Sequence, residues 1–214
     1  KIDLSKNNFL SALKLIKHRG PDSSGVLTEN NFFLGHTRLS IIDLSKLGNQ
    51  PMHSRNNRFC ISFNGEIYNY LELKDELILK GVKFKSNTDT EVLLEGLAYY
   101  GEKFIERCNG MFAFIFLDKV KKEVLIVRDR LGIKPVYYTI SNKTLYVSSE
   151  IRPIIKLKKD FKEISHQSLY SYFVYRQPIE FNTYFKNILS LEPGTYLKFS
   201  RDKLIKKKYY NLSS

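Results

Sequence analysis

Phe63-Asn64-Gly65-Glu66-Ile67-Tyr68-Asn69 is the stretch on which the reading of this chain turns. An Asn-Gly pair leaving an apolar strand can aim a side-chain amide and a backbone N–H at one point, the arrangement that stabilises an oxyanion. Three further segments carry complementary groups: His18-Arg19-Gly20-Pro21-Asp22, Arg38-Leu39-Ser40-Ile41-Ile42-Asp43 and Thr88-Asp89-Thr90-Glu91. What they do not supply is a nucleophile at the chain start, where Lys1 stands.

Outward from this stretch, periodicity assigns the elements. Phe9, Leu10, Leu13 and Ile16 mark an amphipathic helix over Leu4 to Lys17, stopped by Gly20-Pro21. Phe32 to Leu39 and Arg58 to Phe63 read as strands, separated by a Gly48-Asn49-Gln50-Pro51 loop. Tyr68 to Lys80 and Asp89 to Tyr100 are helices closed by Gly81 and Gly101, expected to pack on one sheet. From Phe112 to Ser148 the texture suggests an antiparallel meander of four strands. Short helices around Ile151 to Lys156 and Ser165 to Tyr175 follow, then a hairpin from Gly194 to Tyr210. Helices and antiparallel strands alternate in blocks, which favours layered α+β over a parallel sheet.

The bulk properties exclude several classes. With 214 residues, 43% hydrophobic and 14% aromatic, a packed core is available in one large domain or two small ones. No apolar run approaches the ~20 residues of a membrane span and no signal pattern opens the chain, so the expected location is cytoplasmic with no membrane partner. Cys60 and Cys108 lack a CxxC partner and read as reduced core thiols. His18, His36, His53 and His166 have no ligand spacing, so no metal is expected. The net charge of +13 raises the question of nucleic acid, but the lysines are scattered. The densest group, Lys203 with Lys206 to Lys208, suits a charged strand edge; a basic face meeting an acidic neighbouring domain is the other reading.

Hydrolysis of a side-chain amide needs partners for a carboxylate and an ammonium, an oxyanion hole, and a nucleophile with its base. Arg38 can fork onto an α-carboxylate. Asp89 can pair with an α-ammonium, as can Glu66. Asn64 and the N–H of Gly65 can stabilise a tetrahedral oxygen, worth roughly 3 kcal/mol per donor. Each has a simpler reading in isolation: Asn64-Gly65 a turn, Arg38 a surface ion pair, Asp89 a helix cap, Arg19 and Asp22 a pair closing a turn.

In order and combination these segments resemble the glutamine amidotransferase domain of glutamine-hydrolysing asparagine synthetases, class II amidotransferases of the N-terminal-nucleophile hydrolase superfamily. The resemblance runs through His18 to Gly25, Thr37 to Leu44, Phe63 to Tyr70, Asn87 to Leu94, Asn109 to Asp118, Arg128 to Tyr138, Val147 to Ile151 and Leu191 to Leu197. It implies a four-layer αββα sandwich of two antiparallel sheets. It also implies that Arg38 takes the substrate carboxylate, the backbone of Leu39, Ser40, Ile41 and Ile42 lines the pocket, and Asn64 and Gly65 form the oxyanion hole. Glu66 is then a pocket residue and Asp89 the group holding the ammonium.

The same resemblance implies a first-residue cysteine whose own α-amine, with a pKa near ~7.7, acts as base. Here the chain opens Lys1-Ile2-Asp3-Leu4, which resembles the family beginning after its first strand. The expectation is one amidotransferase domain over residues 1–214, truncated at its N-terminus, that recognises glutamine without hydrolysing it. Neither Cys60 nor Cys108 replaces the nucleophile. No cofactor is expected in this domain; ATP and Mg belong to the synthetase domain that the family adds after it, and that domain is the implied partner. A homodimer is left open. Alternatives are an amidotransferase domain from a sugar-aminating or natural-product relative, and a non-catalytic glutamine-binding or basic interaction module.

Overall fold

A computed structural model describes residues 5–29, 32–39 and 45–212. Ser5 caps α1 (Lys6–Lys14), its hydroxyl accepting from Asn8 N, and a 3-10 turn at Lys17–Arg19 follows. A hairpin of β1 (Ser23–Glu29) and β2 (Phe32–Arg38) leads to the short β3 (Met52–His53) and the long β4 (Phe59–Ile67). Next come α2 (Tyr70–Leu79), α3 (Asp89–Tyr100), β5 (Gly110–Asp118), β6 (Glu123–Arg128), β7 (Tyr137–Ser141) and β8 (Thr144–Ser148). The chain closes with α4 (Ile151–Leu157), α5 (His166–Tyr175), β9 (Leu189–Ser190), β10 (Thr195–Ser200) and β11 (Lys203–Lys208). These elements fall into two compact units, Lys1–Lys17 with Pro135–Glu192, and His18–Lys134 with Pro193–Ser214.

In the first unit α1 packs on α4, and β7 lies between β8 and β9. Its core gathers Tyr146, Ile154, Phe161 and Ile188.

The second unit is built on a six-stranded antiparallel sheet in the order β11-β10-β6-β5-β4-β3. Alternation along β4 sends Ile61, Phe63 and Ile67 to one face, where they meet Leu73 and Leu77 of α2 and Val92, Leu93, Leu94 and Leu97 of α3. Both helices therefore cover the same sheet, as their periodicity predicts. On the opposite face Cys60 of β4 and Leu117 of β5 pack with Leu34 of β2, so the β1–β2 hairpin forms a second strand layer. The architecture is α+β with antiparallel sheets. The basic group Lys203, Lys206, Lys207 and Lys208 is exposed on β11, the edge strand of the larger sheet.

Three expectations change. Asn64-Gly65 does not leave the strand: β4 continues through both residues to Ile67, pairing Asn64 with Ala113 and Gly65 with Phe112. The predicted meander divides after β6, since β7 and β8 join β9 in a separate sheet. The cause is Asp129, fully buried, whose carboxylate accepts from the N–H groups of Leu131, Ile133 and Lys134 and folds residues 129–134 into a tight loop. β1 escapes the sequence reading because Ser23-Ser24-Gly25-Val26-Leu27-Thr28-Glu29 has only two large apolar residues.

The packing of α3 on the following 3-10 turn leaves no space at Gly96, where a Cβ would stand 2.1 Å from the Phe104 ring. Gly96→Ala is expected to destabilise the protein by about 1–3 kcal/mol in urea unfolding. An unchanged midpoint would contradict this packing.

Candidate functional site

Two strands, one in each sheet layer, face each other across the site. Leu34, His36 and Arg38 lie on one face of β2; Cys60, Ser62, Asn64 and Glu66 lie on the facing side of β4. Leu34 and Cys60 share an apolar cluster, and His36 Nδ1 lies 3.1 Å from Ser62 Oγ. Continuing with a period of two carries Arg38 toward Asn64 and Glu66. The His36 pKa is pushed down to about 4, by burial first and by the neighbouring Arg38 charge second, so this pair is neutral at physiological pH.

Asn64 Nδ2 is buried and has no hydrogen-bond partner among the described residues. A buried donor without a partner costs free energy, and here it is one of the two groups expected to stabilise an oxyanion. Gly65 beside it has φ +154°, and a Cβ there would lie 2.2 Å from Met111 O. No other residue fits this position.

Asp89 is the first residue of α3, and its side chain turns back to β4, where Oδ2 accepts from Ile67 N at 3.1 Å. Burial, its largest influence, and the nearby Glu66 charge hold the Asp89 carboxyl above its ordinary 3.8, against the hydrogen bonds from Ile67 and Thr90 that favour the ionised form. The preceding loop is fixed by Glu91, whose carboxylate accepts from Lys85 N, Ser86 N and Ser86 Oγ. Thr88 Oγ1 caps the helix by accepting from Glu91 N.

Arg38 is buried at the end of β2. Nη1 donates to Ser45 O and to Asn49 Oδ1, both at 2.9 Å. A Cβ on Gly48 would stand 2.2 Å from Arg38 Nη2 and 3.3 Å from Thr88 Cγ2, so the guanidinium and the start of α3 meet at that glycine. The segment 18–22 presses on the same strand end: Asp22 N donates to Arg38 O at 3.1 Å, and a Cβ on Gly20 would strike Thr37 and Arg38 backbone. Arg38 and Thr88, the neighbour of Asp89, thus meet at Gly48, while Asp89 is tied to β4 at Ile67 and feels the Glu66 charge. Leu39 is exposed just beyond β2, and Ser40, Ile41 and Ile42 lie outside the described residues.

Sequence reasoning missed His36, Ser62, Asn49 and Gln50. Matching the period-two faces of β2 and β4 would have aligned the first two; side-chain bonds from a loop leave no pattern to read. Cys60 and Cys108 are fully buried, and burial pushes each thiol up to about 12, which makes them poor nucleophiles. Among the described residues no group of three or more His, Cys, Asp or Glu is placed to hold a metal, and no helix is long and apolar enough to cross a membrane.

Residues 2–210 match the family model described as a glutamine amidotransferase domain. The chain belongs to that family. This glutamine amidotransferase domain is 38% identical to asparagine synthetase [glutamine-hydrolyzing] 1 of Bacillus subtilis, over 88% of this chain and 30% of that protein. It is 38% identical to a putative asparagine synthetase of Methanocaldococcus jannaschii, over 92% of this chain and 42% of that one. Amidase chry2 of Gibberella zeae is 36% identical over 87% of the chain and 27% of its own length. The chain therefore spans less than half of these relatives. Among solved structures, the allosteric regulatory enzyme of purine biosynthesis superposes with a TM-score of 0.70 at 18% identity, over 95% of this chain and 46% of that one. Glutamine PRPP amidotransferase from B. subtilis gives 0.65 at 18%, over 94% and 45%. These likenesses show that the chain shares the fold of both enzymes.

Because the His36 pKa is lower in the folded chain than its ordinary 6.5, its neutral form favours folding above pH 6.5, and that contribution is lost as pH falls toward 4. Replacing it by His36→Gln is expected to flatten the acid limb of stability by up to about 3 kcal/mol across that window. Urea titrations from pH 7 to pH 4 measure it. His53, also lowered by burial first, keeps its own slope in both proteins, so an identical limb in the variant would refute the assignment to His36.

Proposed function

We propose that this domain binds L-glutamine and forms the ammonia-releasing part of a glutamine-dependent asparagine synthetase. The observation that carries the reading is the buried, unpartnered amide of Asn64 on β4, the strand whose backbone Asp89 holds at Ile67 and whose Ser62 meets His36 of β2. In this reading Arg38 receives the α-carboxylate, and Asp89 with Glu66 receives the α-ammonium. The side-chain carbonyl of the ligand then points at Asn64 Nδ2 and the N–H of Gly65, donors suited to the oxygen as it becomes tetrahedral.

The attacking sulfur is that of the first-residue cysteine that the family resemblance implies, with its α-amine as base. Its thiolate adds to the amide carbon; the C–N bond breaks and ammonia leaves after taking a proton, giving a glutamyl thioester. Water then attacks the thioester, releasing glutamate and restoring the thiol. Ammonia passes to activated aspartate in the remainder of the polypeptide, where ATP and Mg2+ are used, in the cytoplasm.

A second reading has support in the 36% identity to amidase chry2: the glutamine half is shared while the amino-group acceptor differs. Supplying amide-15N glutamine, aspartate and ATP to the full-length protein separates the two, since only a synthetase yields labelled asparagine.

Isothermal titration of the chain with L-glutamine tests the binding step. Binding is expected, and Arg38→Ala is expected to weaken it at least about tenfold, whereas a short DNA duplex gives no salt-dependent binding. Asp89→Asn is expected to abolish binding yet keep or raise stability at pH 7. The raised pKa means that the contribution of Asp89 to folding is greatest when it is protonated and is lost as pH rises. Duplex binding without glutamine binding would overturn the reading.

A further inference from the structure

The loop between β2 and β3 touches all three parts of the glutamine site. β3 pairs with β4 only at Met52 with Ile61 and His53 with Cys60, and Pro51 has no N–H to extend the ladder. Gln50 continues it with its side chain instead: Oε1 accepts from Phe63 N at 2.6 Å, and Nε2 reaches Thr90 Oγ1 at 3.5 Å. One residue earlier, Asn49 Oδ1 accepts from Arg38 Nη1 at 2.9 Å. Phe63 adjoins Asn64 and Thr90 adjoins Asp89, so this dipeptide links the guanidinium to the strand and helix that carry the other groups. The loop has little room to swing, because a Cβ on Gly25 would stand 2.1 Å from Gln50 O.

We propose that Asn49 and Gln50 are positioning residues that fix the distance from the Arg38 guanidinium to Asn64 and Gly65, and so select an amino acid by the span between its α-carboxylate and its side-chain carbonyl. The inference rests on the glutamine reading above. Asn49 acts through Arg38: its amide oxygen accepts from Nη1 and so orients the guanidinium. An aspartate in its place would compete with the ligand carboxylate. Gln50 acts through β4, anchoring the loop one residue from Asn64. Asn49 is exposed, so its replacement leaves the core intact.

The test is calorimetric titration of the chain with L-glutamine, L-asparagine, which is one methylene shorter, and L-glutaminamide, which lacks the carboxylate. The unaltered chain should prefer L-glutamine over both. Asn49→Ala should weaken L-glutamine at least about tenfold and erase its advantage over L-glutaminamide, with the thermal midpoint moved by no more than about 2 °C. Asn49→Asp should give the same loss with the midpoint kept or raised. Gln50→Met, which keeps the length but removes the acceptor, should narrow the preference for L-glutamine over L-asparagine. Retained preferences in these variants, or a parallel loss of all three ligands with the midpoint, would overturn the inference while leaving glutamine binding intact in the parent chain. A parent chain that binds none of the three refutes the glutamine reading, and this inference falls with it.

Discussion

Gly65 approaches β5 so closely that only hydrogen fits on its Cα, with Met111 O 2.2 Å from where a methyl carbon would lie. The rest of the site follows from that contact. With residue 65 locked against Phe112, alternation fixes Asn64 and Glu66 on the face toward β2, and Phe63 and Ile67 on the face toward the helices. Ile67 then presents its N–H to Asp89, which sets where α3 begins relative to β4. A side chain at position 65 would push β4 off β5 and move Asn64 away from the carboxylate at once.

The polar site is an energetic deficit that the helix layer offsets. An unpartnered buried amide costs about 1–3 kcal/mol, and Asp89 adds a carboxyl whose ionised form is disfavoured by burial. Directly behind β4, Leu77, Leu93, Leu94, Phe104 and Phe112 are fully buried, and each apolar side chain removed from water contributes about 1.5–3 kcal/mol. Strain and missing partners are tolerated where the backbone is over-determined by such packing. The site therefore sits on β4, backed by the helix layer, and away from the charged edge at β11.

Much of this was legible in the residue pattern, for identifiable reasons. α3 could be read because its caps are local: Thr88 and Gly101 act within one turn of the helix ends. The grouping of Arg38, Asn64, Gly65 and Asp89 was visible only as an ordered set, since each residue has an ordinary role when taken alone. What escaped depends on tertiary context. The Asn64-Gly65 pair carries turn chemistry, yet nine ladder pairs with β5 hold it extended. The separation of β7 from β6 hangs on one buried carboxylate, Asp129, whose three backbone bonds no periodicity announces. Gln50 substitutes a side chain for a strand, and sequence patterns describe backbones better than such replacements.

The pairing of Glu66 with Asp89 gives the proposed site its sign. Burial first, and then the Glu66 charge, raises the Asp89 carboxyl. A cation placed between them reverses that effect, because its attraction to both outweighs their mutual repulsion as water leaves. Arg38 lies at the end of β2, where its guanidinium donates to Ser45 O and Asn49 Oδ1. The proposed site is thus polarised, with carboxyl groups at Glu66 and the start of α3 and a guanidinium at the end of β2. Under the proposed reading, a zwitterion with a carbonyl on its side chain matches these groups, and a ligand lacking either backbone charge forgoes one of those contacts.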